Sequence, residues 1–278
     1  QGAADAEIYA RVAHTYAALK RIDEAREYYR LAVAQDSTLT DQALSDFVQL
    51  AREEDRIGDR YGMASAVETA TEFRSGVNLE DLVLPLAQHY SDVGEYGRAV
   101  PFFQKALSAI DPDSLPRLLF DAAVAFDEVG DCETAVLYYE EYRTYLPPQL
   151  RTEVHWRLGH CSFQLAQARL EEGDNDEALE HLELLLEIEE PRNRLARGYF
   201  MKGEILGKRG ECEAAIEAFQ EVPVMDPSGT SAVVDSAELR IDQIRFGGRF
   251  DRSFQRLREG RVSGSCFPPD PTIRRGGR

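Results

Sequence analysis

Residues 9–32 read YARVAHTYAALKRIDEAREYYRLA, and within them Tyr9, Ala13, Tyr16, Ala25, Tyr29 and Ala32 set a spacing of 4, 3, 9, 4 and 3. The spacing returns three times: as Val83, Ala87, Tyr90, Ala99, Phe103, Ala106; as Leu119, Ala123, Phe126, Ala135, Tyr139, Tyr142; and as Tyr199, Gly203, Leu206, Ala215, Phe219, Val222. Steps of three and four keep residues on one face of an α-helix. The step of nine crosses a tight turn into a second, antiparallel helix. Each unit is therefore a predicted helical hairpin, with small residues where its two helices come closest and aromatics filling the wider gaps. A chain of such units is a repeat protein, so its function has to be sought on surfaces and ends.

Glycine and proline punctuate the pattern. Gly94, Gly130 and Gly210 each stand five residues before the second-helix alanine, where a left-handed C-cap suits glycine. Asp111-Pro112, Pro147-Pro148, Pro191 and Asp226-Pro227 close the second helices, because proline cannot continue one. These small and large slots resemble the tetratricopeptide repeat in four units. Three further units fit less evenly. Leu50, Ile57, Ala66, Ala70 and Phe73 keep the frame while Glu54 takes the small slot. Ala237, Ile241, Ile244, Ser253, Leu257 and Gly260 keep the spacing, with Gly247-Gly248 as the turn. Between Trp156 and Leu185, Ala178, Leu182 and Leu185 mark a regular second helix, but Gly159 lies nineteen residues before Ala178 instead of twelve. The first helix there is expected to be two turns too long and to end near Gly173. The resemblance implies an all-α, right-handed superhelical solenoid of about seven antiparallel helix pairs. It divides the chain into a solenoid over 1–262 and an extended C-terminal tail over 263–278.

Charge is unevenly spread along the 278 residues. Lys and Arg total 32 against 50 Asp and Glu, a net of −18. From Arg240 to Arg278 ten arginines face Asp242, Asp251, Glu259 and Asp270, so this end carries +6 and residues 1–239 carry −24. An acidic body repels phosphates and argues against nucleic acid as a partner. A change of sign between the ends favours head-to-tail contact between copies. Only Lys20, Lys105, Lys202 and Lys208 are lysines. That bias follows more simply from a GC-rich genome than from selection for the interface chemistry of arginine. No apolar run is long enough for a membrane span. The start at Gln1, without an initiator Met, is read as the mark of a removed export signal.

Four cysteines complete the inventory of reactive groups. Cys132 and Cys212 occupy the same slot in Gly130-Asp131-Cys132-Glu133 and Gly210-Glu211-Cys212-Glu213. Reflecting Cys132 through the turn near Pro147-Pro148 lands about one helical turn from Cys161, which predicts a bridge between them. Cys212 is left for Cys266, which the tail must carry back along the last unit. Buried free thiols are the alternative.

The chain carries few residues in patterns that point to chemistry. His14, His89, His155, His160 and His181 form no His-x3-His pair, and adjacent His160 and Cys161 diverge by about 100° on a helix. No phosphate-cradling glycine loop, nucleophile elbow or zinc-hydrolase motif occurs. Gly173-Asp174-Asn175-Asp176-Glu177 reads as a turn followed by a capped helix rather than a calcium loop, and Glu53-Glu54 and Glu189-Glu190 as solvated helix faces. No catalytic, metal or cofactor-binding residue is assigned, and no cofactor.

Two binding functions compete. In the first, the chain self-associates head to tail into an extracellular or envelope filament, its basic end docking on the acidic units of the next copy. In the second it is a monomeric envelope scaffold that holds a peptide or partner helix in a concave groove, as the resemblance generally implies. An accessory role in an enzyme complex is a third possibility. The tail decides between them: Cys266 anchors it, while Phe267, Ile273, Arg274, Arg275 and Arg278 are its groove-binding and charged residues.

Overall fold

The structure is a computed structural model that describes residues 2–229, 232–247 and 264–267. It is all-α, with no strand among the described residues, and forms two compact units, Gln1–Val129 and Gly130–Arg278.

The first unit holds α1 (Gly2–Ala18), α2 (Ile22–Gln35), α3 (Thr40–Ile57), α4 (Arg60–Phe73), α5 (Val83–Asp92), α6 (Tyr96–Ala109) and α7 (Arg117–Glu128). The pairs α1/α2, α3/α4 and α5/α6 are antiparallel hairpins, and contacts of α1 with α3, α2 with α4, α4 with α5 and α6 with α7 stack them. The slots named above line these contacts. Ala13, Ala25, Tyr29, Ala87, Ala99, Phe103 and Ala106 are buried, so each hairpin removes an apolar stripe from water at roughly 25 cal/mol per Å². Tyr29 packs edge-on against Phe47, which stacks on Phe73 of the same layer.

The second hairpin shows how a charge enters a small slot. Glu54 is buried, with its carboxylate 2.9 Å from the Lys20 ammonium that the first hairpin supplies. Gly62 of α4 makes the room: a Cβ there would stand 3.0 Å from Glu54 Cγ. The small residue has moved to the opposite helix. Ile57, by contrast, is 58% exposed at the end of α3, so the slot it fills in the spacing is not a core position.

The second unit holds α8 (Cys132–Tyr142), α9 (Arg151–Glu172), α10 (Asn175–Ile188), α11 (Arg192–Arg209), α12 (Cys212–Met225) and α13 (Ala232–Asp242), the last continuing as a π-turn over Gln243–Gly247. α9/α10 and α11/α12 are hairpins, with α8 against α9, α10 against α11 and α13 against both α11 and α12. α9 runs 22 residues and ends on left-handed Gly173. Its extra turns lie at the N-terminal end. Ala166, twelve residues before Ala178, is fully buried and is the small slot, which the sequence reading placed at Gly159. Gly159 instead meets the turn after α10: a Cβ there would lie 1.7 Å from the Glu190 carbonyl oxygen. Asp174 caps α10, accepting from the Asp176 and Glu177 amides at 3.2 and 3.1 Å.

Two prolines, Pro101 and Pro223, sit inside α6 and α12. Of the last sequence unit, Ala237 and Ile244 are buried, while Ser253, Leu257 and Gly260 lie outside the described residues.

Candidate interaction surface and its disulfide staples

The chemistry that the sequence sets apart gathers in the second unit. Cys132 opens α8 and Cys161 lies midway along α9; the two are disulfide-bonded with Cα atoms 5.1 Å apart, and both are buried. Cys212 opens α12 and is bonded to Cys266, Cα to Cα 5.5 Å. Cys266 is buried, whereas Cys212 is only half-buried.

The second bridge fastens Gly264–Phe267 onto α11 of the same chain. The Cys266 amide donates to the Gly207 carbonyl oxygen at 2.9 Å. The Phe267 ring covers Gly207, where a Cβ would stand 2.3 Å from Cζ, and the Gly264 carbonyl covers Gly210, where a Cβ would stand 2.0 Å from the oxygen. Two glycines one helical turn apart thus open a recess wide enough for a backbone and a ring. Phe219, itself seated on Gly203, lies 6.5 Å from the Phe267 centroid. From α13 the Arg240 guanidinium lies over the ring at 4.6 Å. Glu204 holds it there, accepting from Nε at 2.5 Å and from Nη2 at 3.2 Å. A cation over a ring face is worth about 0.5–1 kcal/mol at partly exposed sites.

Of the residues assigned to the tail, Phe267 is brought to this recess; Ile273, Arg274, Arg275 and Arg278 lie outside the described residues. Glycines 207 and 210 and Arg240 were not singled out as contact residues in the sequence. The one available signal was a helix with Gly203 and Gly207 in its last two turns and Gly210 as its C-cap, a glycine density inside the helix that pure propensity disfavours.

Two histidines of this unit are held toward their neutral form. Burial pushes His155 down, helped by the positive charges of Arg143 and Arg151. His181 is lowered by burial and then by Arg169. On α9 the single Trp156, 47% exposed, stacks on His160 at 5.1 Å. In the first unit, Asp46 accepts from His14 Nδ1 at 2.7 Å and from the Tyr29 hydroxyl, in a shallow cleft between α1 and α3 that Glu53 also lines. No helix among the described residues is long and apolar enough to cross a membrane.

Tetratricopeptide-repeat models match residues 6–38 and 159–191 in one form and 85–118 in another. These three stretches are tetratricopeptide repeats. Among solved structures it is similar to the MamA protein, at 15% identity over 69% of this chain and 98% of that one, with a TM-score of 0.33. It is also similar to the C-terminal part of a TPR repeat-containing protein from Cytophaga hutchinsonii, at 15% identity over 83% and 86%, TM-score 0.37. A third is the TPR2AB domain of yeast Sti1 in complex with pHSP90, at 17% identity over 86% and 96%, TM-score 0.27. No protein of curated function matches the sequence. Stacked hairpins of this family serve as protein-interaction scaffolds, and that is the class of function the fold defines.

Proposed function

We propose that this chain is a non-enzymatic protein-interaction scaffold, exported to an oxidising compartment, whose copies associate head to tail into a filament. Its two parts are the solenoid over 1–262 and the tail over 263–278. The observation that carries this reading is the charge polarity, −24 over residues 1–239 against +6 over 240–278. Opposite charges orient the encounter of like molecules, and a contact between unlike ends need not close. Apolar surface for such a contact is present on the first hairpin, where Ile8, Leu19 and Leu31 are 58%, 63% and 43% exposed. Two disulfides, with no free cysteine among the described residues, support export, since cytosolic thiols are kept reduced.

A second reading, a scaffold that binds an extended peptide, is favoured by Gly264–Phe267, a short bent segment that already lies against α11. Charge reversal separates the two. Light scattering at low salt is expected to show association of the native chain and its loss when Arg274, Arg275 and Arg278 are all replaced by Glu. If the native chain is monodisperse and monomeric there, the filament reading is wrong and the peptide scaffold replaces it.

A further inference from the structure

Gly264–Phe267 adds Cys266 and the Phe267 ring to the core of α11, α12 and α13, yet few contacts hold it there. One backbone hydrogen bond, from Cys266 to Gly207, fixes the segment's register. The ring rests against Gly207 and Phe219 and under Arg240, and the Gly264 carbonyl fills the space above Gly210. The segment is a bent one, its Phe267 amide donating back to Ser265 Oγ at 3.2 Å, and the contacts need only that short backbone, small residues before the ring, and the ring itself. The Cys212–Cys266 bridge adds covalent tethering on top of them, and a tether keeps even a weak ligand in place through high effective concentration.

The two bridges differ in access. Cys132 and Cys161 are both buried in the α8–α9 contact, whereas of the second pair only Cys266 is buried and Cys212 stands half-buried at the first position of α12. Thiol–disulfide exchange requires the attacking thiolate to reach a sulfur, so the half-buried Cys212 is the end of the two bridges at which a dithiol gains access most readily.

We propose that the α11 recess, built from Gly207, Gly210, Phe219 and Arg240, is a binding site for a short, bent peptide that presents an aromatic ring after small residues. Its resident in the oxidised chain is the chain's own Gly264–Phe267, and reduction of Cys212–Cys266 by a dithiol opens the site to a partner peptide. The exchange balances. A dithiol thiolate attacks Cys212 Sγ, the bond to Cys266 breaks, and Cys266 leaves as a thiolate that takes up a proton. The second thiol of the reductant then attacks the mixed disulfide, releasing Cys212 as a thiol and the reductant as its own disulfide. The site works in this way whether or not copies of the chain associate.

The test uses the full chain and a fluorescein-labelled synthetic peptide, SGSSFPP, which copies residues 263–269 with Ser in place of Cys266. Fluorescence anisotropy is expected to show saturable binding to a Cys266→Ser/Phe267→Ala chain, which lacks the bridge and the resident ring. Binding to the oxidised native chain is expected to be at least tenfold weaker. Replacing the peptide's Phe by Ala should abolish binding, and Arg240→Ala in the same background should weaken it about threefold. A second measurement needs no substitution. In dithiothreitol graded so that alkylation labels Cys212 and Cys266 but not Cys132 and Cys161, amide exchange at Cys266 should rise at least tenfold. The proposal is overturned if the variant does not bind the peptide, if the oxidised chain binds it equally well, or if the two bridges reduce only together.

Discussion

Glu54 shows how one residue can break a repeat's rule and still leave the repeat folded. Its carboxylate is buried, answered by Lys20, and given space by Gly62. The Lys20 end is 43% exposed, so the pair is asymmetric: losing the lysine strands a buried charge, while losing the glutamate leaves an ammonium that can turn to water. Lys20→Met is therefore expected to cost more than Glu54→Met, by about 1 kcal/mol in chemical denaturation; equal losses would contradict this account. Glycines make a parallel contrast. Gly159→Ala drives a Cβ into a backbone carbonyl and should cost about 3 kcal/mol. Gly58→Ala meets nothing, but must adopt a φ near 83°, and should cost about 1 kcal/mol. The sequence marks Glu54 as an exception, yet its partners lie 34 residues earlier and 8 later. No local spacing rule reaches that far.

At the scale of the element, the recurring spacing made the hairpins readable, because burial of an apolar stripe at a helical period leaves a direct trace in sequence. The excess length of α9 was readable for the same reason. The extra turns could not be placed from sequence, because Gly159 and Ala166 are both small and only the Glu190 carbonyl tells them apart. Pro101 and Pro223 were equally silent, since a proline after a full first turn reads locally as a break. The cis placement of Gly264–Phe267 depends on glycines of α11 that carry no side-chain signal at all. The bridges belong to this scale. Closing loops of 29 and 54 residues should stabilise the fold by roughly 3.5 and 4 kcal/mol on the chain-entropy model. Thiol titration of unreduced, unfolded protein should find no free thiol; four reactive thiols would contradict the pairing.

Helices α9 and α10 also set a pH response. His155 and His181 are both held below the ordinary value near 6.5. In this window the unfolded chain binds more protons than the folded one, so their contribution is fully present above about pH 6.5 and is lost as pH falls below it. Calorimetry at pH 7.5 and 5.5 should show a lower Tm at the acid value, with the difference reduced in a His155→Asn/His181→Asn chain. An unchanged difference would assign the effect to other groups.

On the scale of the whole molecule, what the sequence displays most plainly is charge: an acidic body of −24 and an arginine-rich end of +6. No packing argument is needed to read it, which is why it survives where side-chain contacts do not. Screening gives the reading its sharpest consequence, since attraction between exposed charges fades once the Debye length falls from about 30 Å at 0.01 M salt to about 3 Å at 1 M. Sedimentation velocity of the native chain over a concentration series at these two salts is the most direct test of head-to-tail association. The account predicts species that grow with concentration at low salt and collapse to the 31.3 kDa monomer at high salt. A single monomer boundary at every concentration in both buffers would contradict it.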